Sequence, residues 1–385
     1  MKNISLVIPS YNNLRHLKNA YESVRKFYKK TELILIDDGS TDNTKTWLDE
    51  LEDDFVIKYR SEERVGHTIL YDVGIDMATN EIVGIMHADM ILGPNYLENV
   101  LKHLERGKVV CATRIEPPLH PEGKEKIIRN FGMDFDDLNI ETFEEFVIKS
   151  QDDYKDQTTR GMFAPWVLYK EDFQNIGGHD HGFAPFPYED SDLFQRWILA
   201  GYELIQSRDA FVYHLTCRGH RWTEQIGKDD DYFKQATKKA AKHYIRKWGS
   251  WVKNDEYQYP TIIPKYDIGL VVKTCNSNLL ELLEPWCSTI YIEDDMQVLT
   301  VDYLEKEKNN TLYDLSERIK PYDNEKNNEI LVRLDVASFN QDDFKIIQQL
   351  PEIIKDNGQV GSFQLGNLFI DIIQMNEYQN TLIKN

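Results

Sequence analysis

The sequence predicts an α/β protein with a mostly parallel sheet, followed by a smaller C-terminal α/β domain. Short apolar segments rich in Val, Ile and Leu alternate with amphipathic helical segments through the first half of the chain. This alternation is typical of parallel strands that are covered by helices on both faces. A second set of such segments follows an aromatic, irregular stretch at 249–266. A length of 385 residues also favours two domains over one.

The predicted elements of the first domain follow one another through short polar connections. Strands are expected at ISLVIP (4–9), ELILIDD (32–38), FVIKYR (55–60), EIVGIMHA (81–88), KVVCATR (108–114) and AFVYHL (210–215). Helices are expected at 13–28, in STDNTKTWLDEL, and near 67–78, 94–105, 189–200 and 229–248. The pattern breaks at 115–160, interpreted as an inserted loop and helix, and resumes at 161–173. We therefore expect a first domain at 1–248, a linker at 249–266, and a C-terminal domain of unknown role at 267–385.

Composition and charge exclude several classes of protein. A net charge of −20 argues against binding nucleic acid or anionic membranes over the whole surface. The four cysteines have no CxxC spacing, which favours a reducing compartment. No segment approaches the ~20 apolar residues of a membrane span, and the first apolar run is too short for a secretory signal. These observations predict a soluble, cytoplasmic protein.

Polar clusters stand at the carboxyl ends of three predicted strands. They are PSYNN after the first strand, DDGSTDNT after the second and HAD after the fourth. Each cluster alone is typical of an ordinary turn or helix cap. Ligands of open parallel sheets bind beyond the carboxyl ends of the strands, so the recurrence of polar clusters there predicts a binding site.

Four longer stretches, in this order and spacing, resemble family 2 glycosyltransferases of the GT-A fold, a Rossmann-like nucleotide-sugar-binding fold. They are VIPSYNN, LILIDDGSTDNT, RVGHTILYDVGIDMATNEIVGIMHADM and FQNIGGHDHGFAPFPYEDSDLFQRWILAGYEL, within residues 1 to about 225. The resemblance implies transfer of a sugar from a nucleotide-sugar donor, first expected to be UDP-linked, to an acceptor hydroxyl. It implies Pro9, Tyr11 and Gly66 as donor contacts and Asp38 as the contact to the base. Asp37 would support Asp38 or the ribose.

The resemblance also implies a divalent cation, Mn²⁺ or Mg²⁺, that bridges the donor diphosphate. Asp89 matches the family position that touches the metal, and a hard cation takes carboxylate and phosphate oxygens. His87 stands where an aspartate is more usual, and it either supports the metal site or contacts the sugar. His214, at the end of a strand, is expected to be a second metal ligand, although a lone histidine there is more often structural.

Glu189 and Asp190 form the second acidic motif of the resemblance. Two acids at a helix start can simply favour the helix dipole. In the family, the aspartate of this pair removes the acceptor proton as the oxygen attacks, which inverts the anomeric carbon. Asp190 is therefore the expected base, and Glu189 is expected to bind acceptor or donor hydroxyls. RGHRW (218–222) resembles a family motif with Arg in place of Gln, which makes Arg221 and Trp222 donor-site candidates.

The acceptor, a saccharide or another hydroxyl compound, and the oligomeric state are left open by the sequence. Lys234, Lys238, Lys242 and Arg246 form a basic stripe on the helix at 229–248. Such a stripe is usually a solvated helix face, but it leaves contact with a phosphorylated acceptor, a membrane surface or nucleic acid open. A glycosyltransferase acting on modified nucleic-acid bases is therefore an alternative that we do not favour.

Two further alternatives belong to other classes of protein. A nucleotidyltransferase usually carries a Gly-rich loop with Arg and Lys after the first strand, and PSYNNLRHL lacks one. An inactive sugar-nucleotide-binding module is disfavoured because Asp38, Asp89, Asp190 and His214 are all present. His214, Cys217 and His220 also form an H-x₂-C-x₂-H run, but spacing that tight without a fourth ligand argues against a structural zinc.

Overall fold

The computed structural model describes residues 2–218, 221–222, 225–293 and 300–384. The chain forms two compact units: the first is Met1–Thr237, Asn254–Thr261 and Lys384–Asn385, and the second is Lys238–Lys253 and Ile262–Ile383. Each unit is built on its own sheet, which confirms the α/β class and the additional C-terminal sheet. The domain boundaries at 248 and 267 stay a prediction.

Within the described residues, the first unit contains one sheet of ten strands. They are β1 (Ile4–Ser10), β2 (Glu32–Asp37), β3 (Val56–Arg60), β4 (Ile82–Ile85), β5 (Met90–Leu92), β6 (Lys108–Glu116), β7 (Lys126–Ile128), β8 (Thr158–Thr159), β9 (Trp166–Tyr169) and β10 (Glu203–His214). Eight strands lie in the order β3-β2-β1-β4-β9-β6-β10-β5, with β7 beside β6 and β8 beside β10. The first four are parallel, as are β6 and β10. β9 joins the two parallel parts and is antiparallel to both of its neighbours.

Helices cover this sheet because their apolar residues recur at helical spacing. Those of the first unit are α1 (Leu14–Phe27), α2 (Thr44–Glu50), α3 (His67–Met77), α4 (Tyr96–Leu101), α5 (Ile140–Asp153), α6 (Lys170–Asn175) and α7 (Glu189–Leu199). Helix α8 (Asp231–Trp248) starts in the first unit but belongs to the second from Lys238 onward. Leu17, Ala20 and Val24 of α1 are buried in the core that packs against the sheet. In α3, a Cβ at Gly74 would lie 2.2 Å from Val7 Cγ1, so α3 packs on β1 more closely than a larger residue would allow.

The turn after β4 determines the position of the HAD cluster. β4 ends at Ile85, three residues before the expected end, and the N–H of Met90 donates to the carbonyl oxygen of His87 at 3.2 Å. The chain then enters β5, which pairs antiparallel with the end of β10 and sets Met90 opposite His214. The turn residues His87 and Asp89 therefore lie beside the carboxyl end of β10.

The interruption at 115–160 contains the end of β6, then β7, α5 and β8. Phe131, Phe143 and Val147 from this segment pack with Phe211 and Tyr213 of β10 in a second apolar cluster. The segment is thus anchored to the strand that carries His214. We therefore place the inserted residues within the first unit, at the edge of its sheet.

The second unit has a six-stranded sheet in the order β13-β12-β11-β14-β16-β15 within the described residues. Its strands are β11 (Ile268–Val272), β12 (Thr289–Ile292), β13 (Ile319–Pro321), β14 (Ile330–Leu334), β15 (Gly361–Leu365) and β16 (Leu368–Ile372). Its helices are α9 (Ser277–Leu283), α10 (Val301–Glu307), α11 (Leu315–Arg318) and α12 (Gln341–Asn357). The four neighbouring strands β13, β12, β11 and β14 are parallel to one another. Strand β16 pairs antiparallel with both of its neighbours, β14 and β15. Among the helices that the structure describes in either unit, none combines the length and apolarity needed to cross a bilayer.

Candidate functional site

A pocket opens in the first unit at the carboxyl ends of β1, β2 and β4. It is lined by Pro9, Ser10, Tyr11, Asn13, Asp38, Arg64, Gly66, His67, Tyr71, His87, Ala88, Asp89, Phe186 and Arg218. All three polar clusters that the sequence singled out contribute to this lining. The expectation that they meet at one sheet edge therefore agrees with the geometry.

Asp38 is buried in this pocket, and the loop after β3 fixes the direction of its carboxylate. The N–H of Val65 donates to Oδ1 at 2.7 Å, and the N–H of Gly66 donates to Oδ2 at 3.0 Å. Burial raises the pKa of Asp38 above its ordinary value, while these hydrogen bonds act in the opposite direction. Gly66 has φ of 96°, and a Cβ there would lie 2.3 Å from Pro185, so only glycine fits this approach.

Arg64 stands in the pocket against three aromatic rings. Its guanidinium carbon lies 4.0 Å from the ring centre of Tyr11, 4.4 Å from that of Tyr232 and 5.5 Å from that of Phe186. The Nε atom of Arg64 is buried and has no hydrogen-bond partner. A cation over aromatic faces is attracted to their negative potential, and an unsatisfied buried N–H gains from a bound acceptor. The pocket therefore has a positive side that suits an anionic or planar ligand.

His87, Asp89 and His214 form a cluster whose possible ligand atoms all lie within 4.8 Å of one another. His214 Nε2 lies 3.5 Å from Asp89 Oδ1, and the rings of His87 and His214 have centres 5.5 Å apart. Burial would raise the pKa of Asp89, but the histidines around it outweigh that effect and hold its pKa below the ordinary value. The carboxylate is therefore ionised, and it faces two imidazole rings.

This donor set fits a divalent cation. One carboxylate and two imidazoles favour a transition-metal ion such as Mn²⁺ over Mg²⁺, which prefers oxygen ligands. The other ring nitrogen of His214, Nδ1, lies 3.3 Å from Glu116 Oε1. Glu116 is itself buried beside Lys126 at 3.0 Å and Arg114 at 3.3 Å. A carboxylate on the far nitrogen is the usual partner of a metal-binding histidine, because it fixes the orientation and tautomer of the ring.

The turn that follows β10 is tied to the same aspartate. The N–H of Leu215 donates to the carbonyl oxygen of Asp89 at 3.0 Å, and the N–H of Arg218 donates to Asp89 Oδ2 at 3.1 Å. Between them, Thr216 and Cys217 both have left-handed backbone angles, with φ of 60° and 59°. Two successive non-glycine residues in that region store backbone strain, which persists only where the surroundings impose it. The turn brings Arg218 to the pocket.

The acidic pair at the start of α7 has two different environments. Glu189 Oε1 lies 2.6 Å from Nε2 of His67, a pocket residue. Asp190 Oδ1 accepts from the N–H of Ser191 at 2.6 Å and from its hydroxyl at 3.3 Å. Burial and the neighbouring charge of Glu189 raise the pKa of Asp190 to about 6. Glu189 is thus hydrogen-bonded to His67, and Asp190 has the higher pKa of the two carboxylates.

The sequence matches two family models over this unit. Residues 5–173 match the model of glycosyl transferase family 2. Residues 149–218 match a model described as the N-terminal domain of galactosyltransferase. Residues 5–173 belong to glycosyl transferase family 2. The family and the GT-A fold class that the motifs predicted are thereby confirmed.

Relatives of the family 2 domain include two bacterial proteins with assigned names. The chain is 26% identical over 237 residues to validoxylamine A glucosyltransferase of Streptomyces hygroscopicus subsp. jinggangensis, which covers 54% of each chain. It is 32% identical over 105 residues to glycosyltransferase GlyG of Streptococcus pneumoniae, which covers 26% of this chain and 35% of GlyG. The chain thus spans about half or less of the length of these relatives.

Among solved structures, the chain is similar to GalNAc-T7 with UDP, GalNAc and Mn²⁺. The sequences are 18% identical, the TM-score is 0.46, and the likeness covers 63% of this chain and 48% of the other. A mannosyltransferase from Pyrobaculum calidifontis in complex with GDP-Man and Mn²⁺ is 17% identical, with a TM-score of 0.41 and coverage of 64% and 63%.

Three of the expected donor contacts, Asp37, Arg221 and Trp222, do not line the pocket of the first unit. Asp37 is fully buried and forms an ion pair with Arg60, so it supports the loop beside Asp38. Arg221 Nε and Trp222 Nε1 instead bind Asp229 Oδ1, at 2.7 Å and 3.0 Å. Their role toward a donor stays a prediction. His220 of the H-x₂-C-x₂-H run lies outside the described residues.

Several pocket residues of the first unit are not predicted from the sequence, namely Arg64, His67, Tyr71, Phe186 and Arg218. Arg64, His67 and Tyr71 lie inside a quoted family motif around Gly66, but nothing in their spacing tells which of them faces a ligand. The sequence does contain a feature that points to Arg218 as a site residue, because this arginine replaces the glutamine of the family motif in RGHRW. The resemblance instead predicts the two later residues of that motif, Arg221 and Trp222.

Proposed function

We propose that this protein is an inverting, metal-dependent glycosyltransferase that moves a sugar from a nucleotide-sugar donor, with UDP as the first candidate nucleotide, to an acceptor hydroxyl. One observation carries the proposal. Asp38, His87 and Asp89 line a single pocket at the carboxyl ends of the strands, and His214 lies beside Asp89 in the same cluster. The family assignment of residues 5–173 supports the same activity.

The donor would bind with its base at Asp38 and Tyr11 and its diphosphate toward the histidine cluster. Asp38 is held by Val65 and Gly66, so its carboxylate is preorganised to accept from a base N–H. Arg64 supplies positive charge beside Tyr11. Preorganised groups of this kind cost little ordering free energy when the ligand binds.

The cation would be held by His87, Asp89 and His214, whose two imidazoles favour a transition-metal ion over Mg²⁺, with Mn²⁺ as the first candidate. When bound, a divalent cation neutralises negative charge that develops on the leaving diphosphate. The chain's own part is to keep Asp89 ionised and to orient His214 through Glu116. The turn at 215–218 brings the cationic Arg218 to the same end of the pocket.

Asp190 would be the base that accepts the proton of the acceptor hydroxyl. Its pKa, raised to about 6 by burial and by Glu189, brings its basicity closer to neutral pH, where proton transfer is more effective. Glu189 would act through His67, which it contacts at 2.6 Å and which lines the pocket. In-line attack by the activated oxygen on the face opposite the diphosphate would invert the anomeric carbon.

The nucleic-acid alternative receives no support from the basic stripe on α8. Lys234 contacts Asp231, Lys238 contacts Glu281, and Lys242 contacts Glu307 at 2.9 Å. Arg246, the last residue of the stripe, is buried, with Glu284 at 2.6 Å. Carboxylates thus neutralise these cations, which leaves little net positive charge for a phosphate backbone. Cytoplasmic location stays a prediction.

The test is a calorimetric titration of UDP, GDP and CDP into the full-length chain, with and without Mn²⁺. We expect one nucleoside diphosphate to bind tightly only in the presence of Mn²⁺, because a cation held by His87, Asp89 and His214 would offset the negative charge of its phosphates. Asp89→Ala should lose this binding. The matched control is Asp49→Ala, which removes an exposed carboxylate whose ion pair with Lys45 lies within one helix.

Metal chelation and titration without Mn²⁺ distinguish the possible results. Chelation of the metal from the wild-type protein changes no residue, so a loss of binding under EDTA cannot come from misfolding of a variant. Absence of binding for all three diphosphates, with or without Mn²⁺, would contradict the proposed donor site. Binding that is equal with and without Mn²⁺ would remove metal dependence from the proposal.

A further inference from the structure

A cavity of about 150 Å³ lies within the second unit, on the side opposite the strand ends where ligands usually bind. It is bordered by Ile268 at the start of β11, by Ser288 just before β12 and by Arg318 just before β13. Since water occupies about 30 Å³ per molecule in the liquid, the cavity has room for a small polyatomic ligand.

Among the described residues that line this cavity, three have cationic side chains and none is a carboxylate. They are Arg246, Lys265 and Arg318. Arg246 and Arg318 share the buried carboxylate of Glu284. Arg246 also binds Glu307 at 2.7 Å, but Glu307 is shared with Lys242 at 2.9 Å. The lining therefore carries more positive charge than its neighbouring carboxylates neutralise.

Lys265 is a cation without a carboxylate partner among the described residues. Its Nζ donates to the carbonyl oxygen of Lys247 at 2.5 Å and lies 3.4 Å from that of Arg246, at the end of α8. Burial, with the charges of Arg318 and Lys247, lowers the pKa of Lys265 to about 8. An ammonium group has three donors, and two carbonyl contacts leave one for a ligand.

Arg246 supplies a second unsatisfied donor. Its side chain is fully buried, and its Nη1 atom has no hydrogen-bond partner. A buried N–H of a charged group without an acceptor is unfavourable, and native proteins rarely leave one unless a ligand, ion or water completes it. An oxygen acceptor in the cavity would satisfy this donor.

We propose that this cavity binds a small oxyanion of the phosphate class, held by Lys265, Arg246 and Arg318. Oxyanions combine several acceptor oxygens with negative charge, and guanidinium groups match their geometry. Two sources share this chemistry, free phosphate and the phosphate group of a sugar phosphate. The aromatic rings of Trp286 and Tyr313 also border the cavity and provide apolar faces that a sugar ring could contact. The site is built from residues of the second unit, whereas the transferase proposal rests on residues of the first, so either proposal can fail without the other.

The experiment is calorimetric titration of the full-length chain with inorganic phosphate and, separately, with a hexose 1-phosphate. We expect saturable binding at one site, and an affinity about 10- to 100-fold weaker in Lys265→Met because one charged hydrogen bond is lost. Lys253→Met is the matched control, since Lys253 belongs to the same unit but is half-exposed on its surface. Tighter binding of the hexose phosphate than of phosphate would identify a phosphomonoester as the ligand.

Thermal unfolding provides a readout that needs no variant. Phosphate should raise the Tm of the wild-type chain above its value in chloride of equal ionic strength, because a ligand of the native state stabilises it. Should Lys265→Met fail to fold, Lys265→Arg keeps the charge and should retain binding. The proposal is wrong if neither anion binds the wild-type chain, or if Lys265→Met binds both anions as well as the wild type does.

Discussion

Replacement of Glu116 by Gln should weaken metal binding without removing any metal ligand. Glu116 Oε1 lies 3.3 Å from His214 Nδ1, and its side chain is only 3% exposed. Glutamine keeps an oxygen that can accept from the imidazole but loses the charge. Burial would raise the pKa of Glu116, but Arg114, His214 and Lys126 hold it below its ordinary value, so the residue is an anion that supports the cluster.

The expected magnitude follows from the single contact that changes. Loss of a carboxylate behind a metal-binding histidine typically costs 10- to 100-fold in metal affinity, which equals about 1.4 to 2.8 kcal/mol. Calorimetric titration of Mn²⁺ in the presence of saturating UDP measures this change. Glu203→Gln is the control, because Glu203 begins the same strand as His214 but is exposed at its far end.

An unchanged Mn²⁺ affinity in a folded Glu116→Gln variant would refute the reasoning. Circular dichroism and thermal unfolding establish whether the variant is folded, since Arg114 and Lys126 also lose a charged partner. A loss of affinity equal to that of Glu203→Gln would likewise show that Glu116 has no special role behind the cluster.

Three further predictions concern the base and the buried charges. Asp190→Asn should abolish sugar transfer while calorimetry still detects the donor, and measurable transfer above background in that variant would exclude Asp190 as the base. The base must be ionised, so kcat/KM should rise with pH through about 6, the raised pKa of Asp190; a profile that stays flat down to pH 5 would contradict this assignment. Glu284 is buried, but Arg318 and Arg246 lower its pKa to about 2. The carboxylate therefore contributes its full stabilisation above about pH 4.5, and this contribution is lost as the pH falls toward 2. Glu284→Gln should therefore lower the free energy of unfolding by about 3 to 5 kcal/mol at pH 7, as measured by urea denaturation, and by less in acid. Equal stability of the variant and the wild type at pH 7 would contradict this prediction.

The sequence predicted the sheet edge well, because apolar strands and polar residues after them follow directly from burial. β1 and β2 end within one residue of their expected ends, and Asp38 and Asp89 meet in one pocket as expected. The antiparallel direction of β9 was not predictable from its composition. A buried strand has the same apolar run in either direction, so only tertiary pairing distinguishes the two.

Three of the pocket residues that the sequence does not predict, Arg64, Phe186 and Arg218, lie in loops, whereas His67 and Tyr71 belong to α3. Arg64 reaches the pocket because it packs on Tyr11, Phe186 and Tyr232, which are far apart in sequence. Arg218 does so because the strained turn before it is held by Asp89. Side-chain direction in such segments depends on contacts between distant residues, which one sequence without relatives does not reveal.

The double attachment of the turn 215–218 to Asp89 has a consequence for how this site can vary. The backbone carbonyl of Asp89 holds one end of the turn and its carboxylate holds the other. A change at position 89 therefore alters a loop conformation as well as a charge. We expect homologues that lack this aspartate to differ at 215–218 as well, so the acidic residue and the turn are inherited as one unit.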